Sequence, residues 1–173
     1  MTGIVLVHDT CLPLEIQAEF RPGRGKLYLN GPIGLEIKVA LLAAVHAITD
    51  LESFVEGFNP LIFMERDLHI HIKCGDIPVI GESYGLALCM SILSAALKKS
   101  IPEDLVFTGG IGPAGEVLPV REIAKKRLEA AKLGFRRMML PVSQLDMLNM
   151  DIIQCPVKNV LEAFSVTFYG EEK

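Results

Sequence analysis

Apolar and polar residues alternate between Leu12 and Phe20: Leu12, Leu14, Ile16, Ala18 and Phe20 share one face, and Pro13, Glu15, Gln17 and Glu19 the other. A period of two sends successive side chains to opposite faces of a pleated chain, so the segment predicts a strand with one buried face. Arg21-Pro22-Gly23-Arg24-Gly25 supplies turn chemistry and Leu27 and Leu29 resume the alternation, so residues 4–30 read as a β meander. After Gly31-Pro32 the period lengthens, and Ile37, Leu41, Ala44, Val45 and Ile48 form one stripe of a helix over 34–49. Residues 67–73 alternate again as a strand, whereas 83–99 are apolar nearly all round, as in a helix packed between other elements. A short strand over 105–108, a glycine-rich turn and a strand-like 116–120 follow. Residues 121–133 form a charged amphipathic helix that Gly134 stops. Extended segments over 136–141 and 151–157 and a short helix near 158–165 complete the pattern. Strands come first, then helices and strands mix without regular βαβ repetition. No linker-like stretch divides them, which predicts one α+β domain over residues 1–173.

Composition narrows the function more than the fold. A chain of 173 residues with half of them hydrophobic can bury a core without metal or disulfide help. With 17 Lys and Arg against 21 Asp and Glu, and no basic run, phosphate-rich partners are disfavoured. The absence of Trp and an aromatic content of 6% leave little for stacking bases, so no nucleic-acid partner is expected. Cys11, Cys74, Cys89 and Cys155 are scattered without a Cys-x-x-Cys pair, which reads as reduced thiols in a cytoplasmic protein. The N-terminus lacks the basic segment of a signal peptide. The longest charge-free apolar stretch, 83–97, falls short of the ~18–20 residues a membrane span requires.

Four motifs carry candidate chemistry. Gly110-Ile-Gly112-Pro-Ala-Gly115 spells a dinucleotide-binding pattern, but that motif needs a helix to begin there, and Pro119 follows instead. It reads as a glycine-rich β turn, and no nucleotide or other cofactor is expected. His69 and His71 share one strand face, as half of a metal site or as polar-face residues bonded locally; with no further ligand to name, no metal is expected. Ser83, in Gly81-Glu82-Ser83-Tyr84-Gly85, stands at a loop-to-helix junction, where a serine can cap the helix or expose a nucleophilic hydroxyl beside free backbone amides. Lys126 falls between Leu133 and Ala130 on the helical wheel, next to Ile123, with Lys125, Glu129 and Lys132 opposite. Such a lysine either snorkels or, if buried, loses basicity until it can act as a general base. Arg127 intrudes on the same arc, so the wheel does not single out Lys126. A serine nucleophile served by a lysine base is an established variant of triad logic.

Asp67-Leu-His-Ile-His71, Gly81-Glu-Ser83-Tyr-Gly85, Thr108-Gly109, Gly115-Glu-Val-Leu-Pro119 and Lys126-Arg-Leu-Glu-Ala-Ala131 together resemble the proteolytic domain of Lon proteases. Pro22-Gly-Arg-Gly-Lys26-Leu and Gly34-Leu-Glu36 fit the same pattern, and the resemblance runs from about Val5 to about Phe168 without a gap between the Ser and Lys motifs. It implies the Lon proteolytic-domain fold, related to the second domain of ribosomal protein S5. It also implies a dyad with Ser83 as nucleophile and Lys126 as base, Thr108 orienting the lysine, amides around Gly81, Glu82 and Ser83 holding the oxyanion, and His71 as a supporting residue. The implied assembly is a hexameric ring acting on polypeptides. The usual bacterial motif has Pro before and Ala after the nucleophile, where this chain has Glu82 and Tyr84. Val79-Ile80 replaces a polar pair, and Arg121-Glu122 replaces Gly-Gly. Absence of a G-x-x-x-x-G-K-[ST] motif implies ATP-independent cleavage of unfolded segments, or service to an ATPase partner in trans. The rival readings are a non-catalytic Lon-like module for oligomerisation or partner binding, and a self-cleaving processing protein.

Overall fold

A computed structural model describes residues 2–7, 10–31, 34–73, 83–148 and 151–170. The long alternation forms β2 (Thr10–Pro22), which pairs antiparallel with β1 (Thr2–Val7) on one side and with β4 (Arg66–Lys73) on the other. Register against β4 sets Ile16 opposite Ile72, Ala18 opposite Ile70 and Phe20 opposite Leu68, so the apolar faces of the two strands coincide.

That match corrects the expected meander. β3 (Leu27–Asn30) does not return to β2; it pairs parallel with the far edge of β4. The β2 edge is already taken by β4. In addition, Asp67 Oδ1 accepts the Arg24 and Lys26 N–H groups at 2.8 and 2.9 Å, carrying the turn across β4.

The remaining strands extend the sheet on the other side of β1. β5 (Leu105–Phe107), β8 (Arg137–Pro141) and β9 (Ile153–Val157) run parallel, giving the order β3-β4-β2-β1-β5-β8-β9. A separate hairpin joins β6 (Gly110–Ile111) and β7 (Val117–Leu118). The chain is therefore a mixed α+β structure.

Helices cover both faces unequally. α1 (Leu35–Thr49), α3 (Gly85–Leu97) and α5 (Val160–Tyr169) pack with Ile16, Ile70, Phe107 and Met139 in the larger core. α2 (Ile62–Glu65) is a single turn leading into β4. The first half of α3 is buried on every side, as its unbroken apolar run implies, and Ser91 satisfies its hydroxyl on the Ile16 carbonyl at 3.0 Å. α4 (Ile123–Lys132) covers the opposite face, over Val106, Met138 and Leu140. No described helix is long and apolar enough to cross a membrane.

α4 begins under strain. Its N-cap residue, Glu122, has φ 55° and ψ 37°, a left-handed conformation that costs a side-chain-bearing residue about 1 kcal/mol or more relative to glycine. Glu122→Gly is therefore expected to raise stability by about 0.5–1 kcal/mol, less than the strain itself because glycine gains entropy in the unfolded chain. Urea unfolding checks this; a lower midpoint would mean that the Glu122 side chain matters more than its backbone.

Candidate active site

Ser83 stands just ahead of α3, and backbone bonds rather than its own hydroxyl hold it there. Its carbonyl accepts the Gly109 N–H at 3.0 Å, and the Gly109 carbonyl accepts the Leu86 N–H at 3.0 Å. Thr108, the residue before that stitch, donates its N–H to the Met139 carbonyl at 2.9 Å. The loop after β5 thus ties the start of α3 to the middle of the sheet.

Two glycines make the approach possible. A Cβ on Gly109 would lie 2.7 Å from Val117 Cγ1, and one on Gly85 would lie 3.0 Å from the Ile111 nitrogen. Either contact would push the β6–β7 hairpin away from the start of α3. The Gly110–Gly115 stretch is this hairpin, closed by bonds from Gly112 N–H to the Glu116 carbonyl and from Gly115 N–H to the Gly112 carbonyl. No helix starts there, in line with the β-turn reading.

Capping does not explain Ser83. The N-cap position of α3 belongs to Tyr84, and no side chain caps the helix. Ser83 is 9% exposed, with its hydroxyl at a helix start. Tyr84, bulky for its place in the motif, is buried in the larger core. Thr108 is wholly buried, and its Oγ1 has no hydrogen-bond partner among the described residues. Leaving such a hydroxyl unpaired costs about 1–3 kcal/mol.

Lys126 resolves the snorkelling alternative. It is 1% exposed and belongs to no ion pair among the described residues, whereas Lys125 and Lys132 reach Glu122 and Glu129 on the solvated side of α4. Burial lowers its pKa from the ordinary lysine value to about 8, against a small opposing effect of the nearby Cys11 thiol. Cys11, on β2, packs with Ile123 and Ala131 against the smaller core, and burial raises its own pKa while Lys126 opposes the rise. The apolar arc around Lys126 is narrower than the wheel implies, since Leu133 lies exposed at the end of the helix.

The structure thus ties Ser83 and Thr108 together through Gly109 and buries Lys126 on α4, over the smaller core. No hydrogen bond joins Ser83 to Lys126 among the described residues. His71 is exposed on the face of β4 opposite Ile70 and Ile72, and it is not drawn to the others by any hydrogen bond among the described residues. His69 stacks on Tyr28 at 4.5 Å between ring centroids, a packing role. Gly81, Glu82, Val79 and Ile80 lie outside the described residues. Cys11 was not legible as a neighbour of Lys126, because only the fold of the β1–β2 hairpin under α4 brings the two together.

The sequence matches the family described as the Lon protease (S16) C-terminal proteolytic domain over residues 1–171. The chain belongs to that family. It is 38% identical over 130 residues to the Lon protease of Phenylobacterium zucineum (strain HLK1), covering 74% of this chain and 16% of that protein. It is 36% identical over 129 residues to the Lon protease of Malacoplasma penetrans (strain HF-2), again covering 74% and 16%. To the Lon protease of Escherichia coli (strain K12) it is 28% identical over 165 residues, 91% of this chain and 21% of the relative. The chain therefore spans about a fifth or less of the length of these relatives.

A lysine whose pKa is lowered by folding opposes folding most where both states are protonated. The unfolded chain keeps its proton up to about 10.5. Between about 8 and that value the folded state has released the proton, and the penalty fades as pH rises. Lys126→Met is thus expected to stabilise the protein by a few kcal/mol at pH 6–7, the gain shrinking above about pH 8. Urea titrations of both proteins across that range test it. A stability difference independent of pH would mean that Lys126 is not desolvated.

Proposed function

We propose that the chain is a Lon-type serine peptidase that works through Ser83 and Lys126. The observation that carries this reading is the lysine buried with no ion-pair partner among the described residues, whose pKa of about 8 leaves an appreciable neutral fraction near neutrality. A neutral amine has a lone pair to accept a proton; an ordinary surface lysine does not.

In this mechanism Lys126 Nζ takes the proton from Ser83 Oγ as the oxygen attacks the carbonyl carbon of a peptide bond. Amides around Gly81, Glu82 and Ser83 receive the oxyanion of the tetrahedral intermediate. The intermediate collapses with cleavage of the C–N bond, and the Lys126 ammonium returns its proton to the departing nitrogen. Water then attacks the acyl ester. Lys126 takes the proton of the water and passes it to Ser83 Oγ as the ester bond breaks. The unpaired Thr108 hydroxyl suits the part of orienting the lysine, and His71 keeps its place as a supporting residue.

The wider reading follows the family. One Lon proteolytic domain, of the fold related to the second domain of ribosomal protein S5, spans residues 1–173. It acts in the cytoplasm on unfolded polypeptides, assembled as a hexameric ring, either by itself or beside an ATPase in trans.

Incubation with unfolded casein and a fluorogenic peptide, without ATP, tests the chemistry. Wild type is expected to cleave, with kcat/KM rising through about pH 8 as the lysine loses its proton. Ser83→Ala and Lys126→Ala are each expected to lose roughly 10³-fold or more while remaining folded. Equal cleavage by wild type and Ser83→Ala would exclude the dyad. No cleavage by a folded, assembled wild type would favour a partner-activated subunit or a silent scaffold.

A further inference from the structure

α4 carries Lys126, yet apolar packing scarcely anchors it. Its buried residues are Lys126, Arg127 and Ala130, so a single methyl group is its only fully buried apolar side chain. A lysine held out of water pulls the other way, since any outward shift of the helix would rehydrate the ammonium. Ile123 and Ala131, partly buried against the smaller core, offset part of that pull, and directed polar contacts add to them.

Arg127 is 4% exposed and points away from Lys126, into the polar seam between α4, β9 and the turn after β8. Nη2 donates to Asp146 Oδ2 at 3.0 Å, and Nη1 donates to the Gln144 carbonyl and to Gln154 Oε1, each at 3.3 Å. Gln144 in turn grips the chain entering α4. Its Oε1 accepts the Val120 N–H at 2.9 Å, and its Nε2 donates to the Val120 carbonyl at 2.7 Å, as a neighbouring strand would. Gln154, on β9, closes the seam by accepting the Asp146 N–H at 3.0 Å and donating to the Asp146 carbonyl at 2.7 Å. Attachments on both sides of Lys126 therefore tie α4 to the sheet.

Stability alone is a poor account of this cluster. Burying a guanidinium costs several kcal/mol before its bonds repay it, and an apolar side chain of similar volume would often serve as well or better. The Nε of Arg127 also finds no partner among the described residues. Fixed geometry is what a planar fork with several directed donors supplies and an aliphatic chain does not.

We propose that Arg127, through Gln144, Asp146 and Gln154, is a positioning residue that clamps α4 onto the sheet and so keeps Lys126 in its water-free place. The proposal rests on Lys126 being the base. The mechanism asks nothing of Arg127 itself, which touches no reacting atom.

Arg127→Leu, Arg127→Lys and Asp146→Asn in the full chain test it by two separate readouts. Arg127→Leu removes the fork and fills the space. It is expected to lower kcat about 10–100-fold with KM changed less than about threefold, since the base and not the substrate contacts is displaced. The limb of the kcat–pH profile is expected to move up by about one unit or more, toward the ordinary lysine value. Arg127→Lys and Asp146→Asn, which keep part of the hydrogen bonding, should fall between wild type and Arg127→Leu. Independently of activity, isotope-edited NMR of the lysine side chains should show the Lys126 titration moving up in the same order. Wild-type kcat and an unmoved Lys126 titration in Arg127→Leu would overturn the proposal. So would a lowered kcat with that titration unmoved. If Arg127→Leu does not fold, Asp146→Asn decides by the same criteria. If wild type cleaves nothing, the peptidase reading fails, and the NMR titrations alone decide whether the clamp holds Lys126.

Discussion

Keeping the Lys126 ammonium out of water is the constraint around which this structure is arranged. An ammonium without a counter-charge in a protein interior costs several kcal/mol, and most proteins avoid the cost by letting the side chain reach the surface. Here that route is closed. α4 lies across the sheet with Lys126 directed toward Cys11 of β2, while its other lysines pair with glutamates in solvent. The neighbouring thiol offsets little of the penalty, so the group responds by losing basicity.

The serine proposed as nucleophile obeys a different rule. Ser83 is located by its main chain, through the bonds linking it and Leu86 to Gly109, and its hydroxyl makes no hydrogen bond among the described residues. The close approach of α3 to the loop after β5 and to the β6–β7 hairpin depends on Gly85 and Gly109 lacking side chains. With Tyr84 turned into the core, the serine sits on a rigid element backed by the largest apolar cluster in the chain. Rigid backing of this kind lets a reactive group hold its position without spending its own polar atoms.

One departure from the usual Lon pattern acquires physical meaning beside the seam that Arg127 forms. Glu122 stands where the family has glycine, and it adopts the left-handed conformation that glycine would take without strain. Just beyond, Arg127 forms the polar seam to Gln144, Asp146 and Gln154. A strained entry and a weakly apolar helix are held by directed hydrogen bonds on both sides of the base.

Local pattern determined much of this protein. Strict alternation identified β2 and β4, because burial of one sheet face leaves a period of two in the sequence; the unbroken apolar run identified α3 for the corresponding reason. The combined motifs pointed to the family and to Ser83 and Lys126. What the pattern missed required partners distant in the chain. β3 crosses to the far side of β4 because the edge of β2 is already filled and Asp67 captures the turn. Whether Lys126 snorkels or is buried depended on what covers α4, and the wheel placed Leu133 on the buried arc although the helix ends there in solvent. Arg127, an intruder on that wheel, proved buried because polar groups from β9 and the turn after β8 meet it. Periodicity records which side of an element avoids water; only the tertiary structure decides which polar group on that side finds partners and which is left to change its protonation.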